Sequence, residues 1–166
     1  MANMRYLIFA DIAEKEGFKN VARLFRAIAF AEQVHARNHY DLLREYREDA
    51  KVVAAAPIGP GNTSKNLELA RAGELFEINE MYPVYIEIAR YQGENRAVKS
   101  FIWALEAEKI HADLYSIAKE YVDRGQDMPI DGQVWICPVC GHTSIGREPP
   151  EKCPICGVPR KMFVGF

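Results

Sequence analysis

Two Glu-x-x-His runs supply the side chains of this sequence best suited to bind a metal ion. Glu32 and His35 form the first run, and Glu108 and His111 form the second. Residues three apart on an α-helix project from nearly the same side, so each run offers one oxygen and one nitrogen ligand at one place. A single pair of this kind would favour an ordinary interpretation, as neighbours on a solvated helix surface.

The apolar residues around these runs indicate that the acids and histidines point into a core. Leucine, isoleucine, alanine and aromatic residues recur with helical spacing on the same face as His35 and Glu108. A third stretch carries Glu74 and Glu77 on a stripe that comprises Leu67, Ala70, Glu74, Glu77, Met81, Val84 and Ile88. Four carboxylates are therefore expected to face one interior.

Four buried carboxylates require a cationic partner. An ionised carboxylate buried without a partner costs roughly several kcal/mol, and a whole domain is stable by only about 5–15 kcal/mol. Two divalent cations would balance the four acids, and a mixture of carboxylate and imidazole ligands suits iron, manganese or zinc. The sequence therefore predicts a site for two metal ions between the helices.

A second metal site is predicted near the carboxyl end. All four cysteines occur in two Cys-Pro-x-Cys-Gly motifs, with twelve residues between Cys140 and Cys153. Four thiolates from Cys137, Cys140, Cys153 and Cys156 would converge tetrahedrally on one metal. The spacing alone leaves iron and a structural zinc ion as alternatives.

The elements that position these residues are mainly α-helical. The periodicity predicts four helices, the third interrupted by a kink at Pro83, with a short loop, a long crossover and a short loop between them. This order is that of a ferritin-like four-helix bundle, followed by a small cysteine-ligated domain. The predicted helices are 1–16, 20–49, 64–91 and 94–124. The predicted domains are a bundle over 1–124 with its crossover at 50–63, a linker over 125–132 and a four-cysteine metal domain over 133–166.

Both linkers raise the question of a dimer. If helix two continues through the alanines after Lys51, the remaining crossover reaches only about 24 Å, and helices three and four would pack on another chain. We therefore expect a homodimer, with exchanged helices as one form of it. If linker 125–132 cannot bring the cysteines to their own bundle, electrons would pass between subunits.

Composition excludes several classes of partner. The 166 residues are 49% apolar and 27% charged, with a net charge of −2, which gives no reason to expect nucleic acid or an anionic membrane as a partner. The first sixteen residues include Arg5, Asp11, Glu14 and Lys15, which does not fit a secretory signal or a spanning helix. We expect the protein in the cytoplasm.

The ordered set of motifs resembles the rubrerythrins over nearly the whole chain. The motifs are Met4-Arg5-Tyr6, Ala31 to Ala36, Gly73 to Glu77 followed by Met81-Tyr82-Pro83, and Glu106 to His111, with the cysteine motifs after them. The resemblance implies a di-iron bundle coupled to a rubredoxin-type Fe(Cys)4 centre. It also implies a peroxidase that reduces hydrogen peroxide to water in defence against oxidative stress. A rubredoxin or an NAD(P)H-dependent reductase would donate the electrons.

The resemblance also implies roles for single residues. Glu32 and Glu108 would share the two irons, Glu74 would bind one iron and His111 the other. In this family one iron moves with redox state between a carboxylate and a histidine, which correspond to Glu77 and His35.

Tyr6 and Tyr82 match tyrosines that hydrogen-bond iron-bound carboxylates in this family. The family's first helix also contributes a glutamate at a position that would precede Met1. We expect that the sequence begins downstream of that position; otherwise a substitute ligand would serve one iron.

A different function is compatible with the same residues. The bundle could oxidise or store iron while the cysteine domain holds a structural zinc ion. A red protein with thiolate-to-iron absorption would favour the peroxidase, and a colourless one would favour iron handling. His39 and His142 are expected to be packing residues and not ligands.

Overall fold

The computed structural model describes residues 1–45 and 59–166, which form a helical bundle and a small sheet. The helices are α1 (Ala2–Lys15), α2 (Lys19–Asp41), α3 (Thr63–Phe76), α4 (Tyr82–Tyr91) and α5 (Asn95–Val122), with 3-10 turns at Leu42–Glu45 and Arg160–Met162 and a π-helical segment at Glu77–Met81. The strands are β1 (Gln133–Ile136), β2 (Thr143–Gly146) and β3 (Val164–Gly165).

Helices α1 and α2 form an antiparallel pair. Gly17, with a φ of 92°, ends the first helix in a conformation that glycine adopts without strain. The Asn3 side chain donates to the carbonyl of Ala29 at 2.5 Å, while Arg26 pairs with Glu14 at 2.8 Å near the other end. Their shared core contains aromatic and alanine side chains, and the alanines allow the two backbones to approach closely.

The third long helix is divided by the π-helical segment, and the stripe predicted for it is wrong beyond Met81. Val84 and Ile88 are 53% and 50% exposed, whereas Tyr82, Ile86 and Ala89 are buried. A π-helical turn contains more than 3.6 residues, so it rotates all later side chains relative to an uninterrupted α-helix. The helix is thus interrupted just before Pro83, and this interruption changes which face packs inward. The kink at Pro83 itself stays a prediction.

The segment after α5 is anchored to the amino end of α2. The Asp127 carboxylate accepts hydrogen bonds from the backbone amides of Asn20 at 2.8 Å and Val21 at 3.2 Å. The Asn20 side chain donates to the Met128 carbonyl at 2.8 Å, and Met128 lies in the bundle core. The cap of α2 thus comes from a residue that is remote in sequence.

The cysteine-containing domain is a three-stranded antiparallel sheet that packs on the bundle. The strand order is β2-β1-β3, and Trp135 stands opposite Ser144 in the β1–β2 pair. Val134 and Ile136 join the core cluster that α1 and α2 form. The sheet therefore packs directly on the helical bundle of its own chain, with β1 against α2 and β2 against α5.

Part of the predicted crossover 50–63 lies outside the described residues. Its last part is described: the Asn62 side chain accepts a hydrogen bond from the Lys65 amide at 2.9 Å and caps α3. Exchange of helices between two chains stays a prediction, as do the domain boundaries. Among the residues that the structure describes, no helix is long and apolar enough to cross a membrane.

Candidate metal centres

The bundle brings four of the predicted ligands to one point. Ligand atoms of Glu32, Glu74, Glu108 and His111 all lie within 4.8 Å of one another. Glu74, Glu108 and His111 are buried, and Glu32 is half-buried. These residues come from α2, α3 and α5, so three separate helices provide the cluster.

The two Glu-x-x-His runs face each other across this cluster. Within α5, His111 Nδ1 lies 2.7 Å from Glu108 Oε2. His35 Nδ1, from α2, lies 2.9 Å from Glu108 Oε1 and 3.8 Å from Glu32 Oε1. The predicted i, i+3 geometry therefore holds in both helices, and Glu108 lies between the two histidines.

Burial and mutual repulsion keep several of these acids neutral when no cation is present. Burial, followed by the charge of Glu108, raises the pKa of Glu32 and of Glu74 well above the ordinary range. The same causes raise the pKa of Glu77, the first residue of the π-helical segment, to about 9. The cluster is therefore short of positive charge.

Glu108 shows the opposite behaviour. Burial favours its neutral form, yet the positive charge of His35 and the hydrogen bond to His111 hold its pKa below the usual range. The pKa of His35 is in turn raised: burial opposes its charge, but the charge of Glu108 and their hydrogen bond outweigh that cost. Glu32 Oε1 is buried without a hydrogen-bond partner. An unpartnered carboxylate oxygen beside other carboxylates and two imidazoles fits the donor set of a di-metal site.

The two predicted tyrosines occupy different positions. The Tyr6 hydroxyl donates to Glu74 Oε1 at 2.7 Å, as the resemblance implies. The Tyr82 hydroxyl lies 3.3 Å from Nε2 of His39, whose Nδ1 lies 2.9 Å from the Ser100 hydroxyl. Burial, followed by the charge of His35, lowers the pKa of His39 to about 4, which favours a neutral ring.

His39 and Ser100 were not assigned to this site from the sequence. The one available signal was the spacing of His39, one helical turn beyond His35. Ser100 carried no recognisable pattern, because its partner comes from a different helix.

The four cysteines form the second cluster. Their sulfur atoms all lie within 4.8 Å of one another. Cys137 Sγ lies 3.5 Å from Cys156 Sγ, and Cys140 Sγ lies 3.4 Å from Cys153 Sγ. Each motif contributes two sulfurs, and together they supply the four ligands of a tetrahedral metal site.

The cysteine cluster lies against its own bundle, so the condition under which electrons would have to pass between subunits is not met. Three consecutive polar contacts join α2 to the first cysteine motif. His35 Nε2 lies 3.2 Å from the Cys140 carbonyl, Asn38 donates to the Val139 carbonyl at 2.8 Å, and Arg37 donates to the Pro138 carbonyl at 2.5 Å. A side chain at Gly141 would collide with the His35 ring, so glycine is required there.

Comparison with known proteins supports both clusters. A family model described as Rubrerythrin matches residues 1–119, and another, described as Rubrerythrin, rubredoxin-like domain, matches residues 135–164. The chain belongs to the rubrerythrin family. Rubrerythrin-2 of Clostridium acetobutylicum is 50% identical to this rubrerythrin, over 100% of this chain and 89% of its own length. Nigerythrin of Nitratidesulfovibrio vulgaris is 34% identical, over 99% of this chain and 79% of its own.

A solved structure extends the comparison to three dimensions. The fully reduced, all-ferrous state of nigerythrin matches this rubrerythrin with a TM-score of 0.88 at 34% identity, covering 99% of this chain and 79% of that one. The predicted fold class is thus confirmed: a ferritin-like bundle followed by a rubredoxin-like domain. The expected cofactors are confirmed with it, namely two irons in the bundle and one iron or zinc in the four-cysteine site.

Proposed function

We propose that this rubrerythrin is a peroxidase that reduces hydrogen peroxide to water. The coarser statement, an iron-binding oxidoreductase, follows from the family. The observation that carries the finer proposal is the direct contact between the two clusters, at His35 and Cys140. A site built only to store iron has no need of a one-electron carrier packed against a ligand.

The contacts support the ligand roles that we propose. We assign Glu32 and Glu108 to both irons, Glu74 to one iron and His111 to the other. Glu108 suits a shared role because its two oxygens point to different partners, Oε1 to His35 and Oε2 to His111. Tyr6 holds the Glu74 carboxylate in place through its hydroxyl. We assign Cys137, Cys140, Cys153 and Cys156 to the Fe(Cys)4 centre.

Glu77 and His35 are the residues we propose to exchange at one iron. His35 presents Nδ1 to the acids, while its Nε2 lies against the Cys140 carbonyl, so a proton on Nε2 would leave Nδ1 free to bind metal. Burial and the charges of Glu108 and Glu32 raise the pKa of Glu77 to about 9 in the metal-free protein, so its carboxylate is stabilised by a cation beside it. The Tyr82 hydroxyl contacts His39, one helical turn beyond His35.

The overall reaction consumes two electrons and two protons for each peroxide and yields two waters. When bound in the ferrous state, the two irons supply both electrons needed to cleave the oxygen–oxygen bond. The chain's own contribution is to hold the irons between three helices and to exclude bulk water through burial of Glu74, Glu108 and His111. We propose that a rubredoxin or an NAD(P)H-dependent reductase then refills the site through the iron of the four-cysteine site.

The test is a comparison of two oxidants. Protein reduced under anaerobic conditions is mixed with hydrogen peroxide or with oxygen, and reoxidation is followed by the visible absorption of the Fe(Cys)4 centre. The peroxidase predicts much faster reoxidation by peroxide. Faster reoxidation by oxygen, or a native four-cysteine site filled with zinc, would instead favour the iron-oxidising or storage function.

We also propose a homodimer. Supporting it, α4 leaves four large apolar side chains at least partly in solvent: Val84, Tyr85, Ile88 and Tyr91, the last 93% exposed. Sedimentation should give twice the chain mass, and Ile88→Lys should weaken association more than Ile117→Lys on α5. A mass equal to one chain for the wild type would contradict the dimer. The cytoplasmic location stays a prediction.

A further inference from the structure

A threonine of the cysteine domain reaches into the bundle and contacts one of its histidines. Thr143, the first residue of β2, is buried, and its Oγ1 lies 2.9 Å from His111 Nε2. The same hydroxyl lies 3.2 Å from the Gly141 carbonyl oxygen. On the other side of its ring, His111 presents Nδ1 to Glu108 at 2.7 Å.

The direction of these hydrogen bonds follows from the groups involved. A carbonyl oxygen only accepts, and a threonine hydroxyl has a single hydrogen to donate. If Thr143 gives that hydrogen to Gly141, it can only accept from His111, so Nε2 of His111 carries a proton. A metal ion that replaces the hydrogen between Nδ1 and Glu108 would then bind the lone pair of Nδ1, in the tautomer that keeps its proton on Nε2.

The position of Thr143 is determined by the cysteine motif beside it. Thr143 pairs with Ile136 in the β1–β2 register, and the next backbone contact joins the Cys137 amide to the His142 carbonyl at 2.9 Å. The neighbouring hydroxyl, that of Ser144, is buried without a hydrogen-bond partner. Only one of the two adjacent hydroxyls therefore contacts the metal site.

We propose that Thr143 is a positioning residue for the bundle metal site, which sets the tautomer and orientation of His111. The proposal rests on the proposed role of His111 as a ligand. It gives the cysteine domain a second task beside electron transfer, because that domain completes the outer support of the di-metal site. Residues that support a ligand in this way typically change metal affinity by about 10–100-fold when they are removed.

Three variants of the full-length chain separate the hydroxyl from packing. Thr143→Val removes the hydroxyl at nearly constant volume, Thr143→Ser keeps it, and Ser144→Ala removes the unpartnered neighbour. Zn(II) affinity of the bundle is measured by competition with a chelator, with the four-cysteine site already filled. We expect about 10–100-fold weaker binding at one bundle position in Thr143→Val only.

A second measurement is independent of affinity and of activity. In the Zn(II)-loaded protein, nitrogen-15 NMR reports whether Nε2 of His111 carries a proton and how fast that proton exchanges with water. We expect a protonated Nε2 with slow exchange in the wild type and in Thr143→Ser. Exchange should be faster in Thr143→Val, because the acceptor is lost.

Several results would overturn the proposal. Wild-type affinity and slow exchange in Thr143→Val would do so, as would an equal loss of affinity in Ser144→Ala, which would indicate packing alone. If Thr143→Val did not fold, the exchange rate of the His111 Nε2 proton in the wild type would test the proposal. Exchange as fast as that of an exposed histidine would refute the contact with Thr143. A wild-type bundle that binds no Zn(II) or Fe(II) would instead refute the proposed function.

Discussion

Filling the bundle with metal should release protons from its buried acids. Burial and the charge of Glu108 raise the pKa of Glu32 and Glu74 well above the usual range and that of Glu77 to about 9. In the metal-free protein at pH 7 the carboxyl of Glu77 therefore holds its proton, and the raised pKa of Glu32 and Glu74 favours their neutral forms, whereas a metal binds the ionised forms. Filling the bundle should therefore release protons, with close to one of them from Glu77.

The pKa of Glu77 gives the size of the pH dependence of metal binding. At pH 7 its carboxyl is about two pH units below its pKa of about 9. Removing its proton therefore costs about 2.7 kcal/mol, at about 1.36 kcal/mol per unit. The apparent metal affinity should rise about tenfold per pH unit for each proton released, and this dependence should end as the pH approaches the pKa.

The assay is an anaerobic titration with Fe(II) or Zn(II) in weakly buffered solution, with an indicator dye that counts released protons. Glu77→Gln keeps the shape of the side chain but has no carboxyl proton, so it should release about one proton fewer than the wild type. Glu106→Gln, on the exposed side of α5, should match the wild type. Release of fewer than one proton per filled bundle, or an unchanged count in Glu77→Gln, would refute the electrostatic reasoning.

Three further outcomes test other parts of the structure. Glu108→Ala removes the acid between the two histidines, so metal analysis should find no iron in the bundle of this variant, whereas Glu106→Ala should load fully. Full iron loading of Glu108→Ala would contradict the ligand assignment. The metal-free protein should lose stability to urea as pH rises from about 5 to about 9, because folded Glu77 keeps a proton that the unfolded chain has released; rising stability over that range would have the wrong sign. Asp127→Ala should lower the free energy of unfolding by about 1 kcal/mol through loss of the α2 cap, and Asp131→Ala by less than about 0.5 kcal/mol; equal effects would argue against the cap.

The ligand clusters could be predicted from the sequence because each rests on local geometry. The i, i+3 spacing alone places Glu108 beside His111, and the apolar stripe indicates that both face inward. The cysteine motifs are similarly local, since each forms its own turn. Burial of the apolar stripes then brings these pairs of ligands together between the helices.

Contacts between remote segments could not be predicted in this way. The cap that Asp127 places on α2, the Ser100 partner of His39 and the Thr143 partner of His111 all join elements far apart in sequence. No periodicity marks such a pair in advance. The sequence likewise does not determine whether the cysteine domain docks on its own bundle, because this depends on where residues 125–132 attach.

Because of the π-helical segment at Glu77–Met81, the number of residues in this stretch decides which side chains of α4 face the interior. Removing a single residue there would restore the normal helical pitch and turn α4 by about 100° about its axis. Tyr82 would swing away from His39, while Val84 and Ile88 would turn toward the interior. A gain or loss of one residue is usually harmless in a surface loop; within this helix it would replace the whole set of α4 side chains that pack against α5.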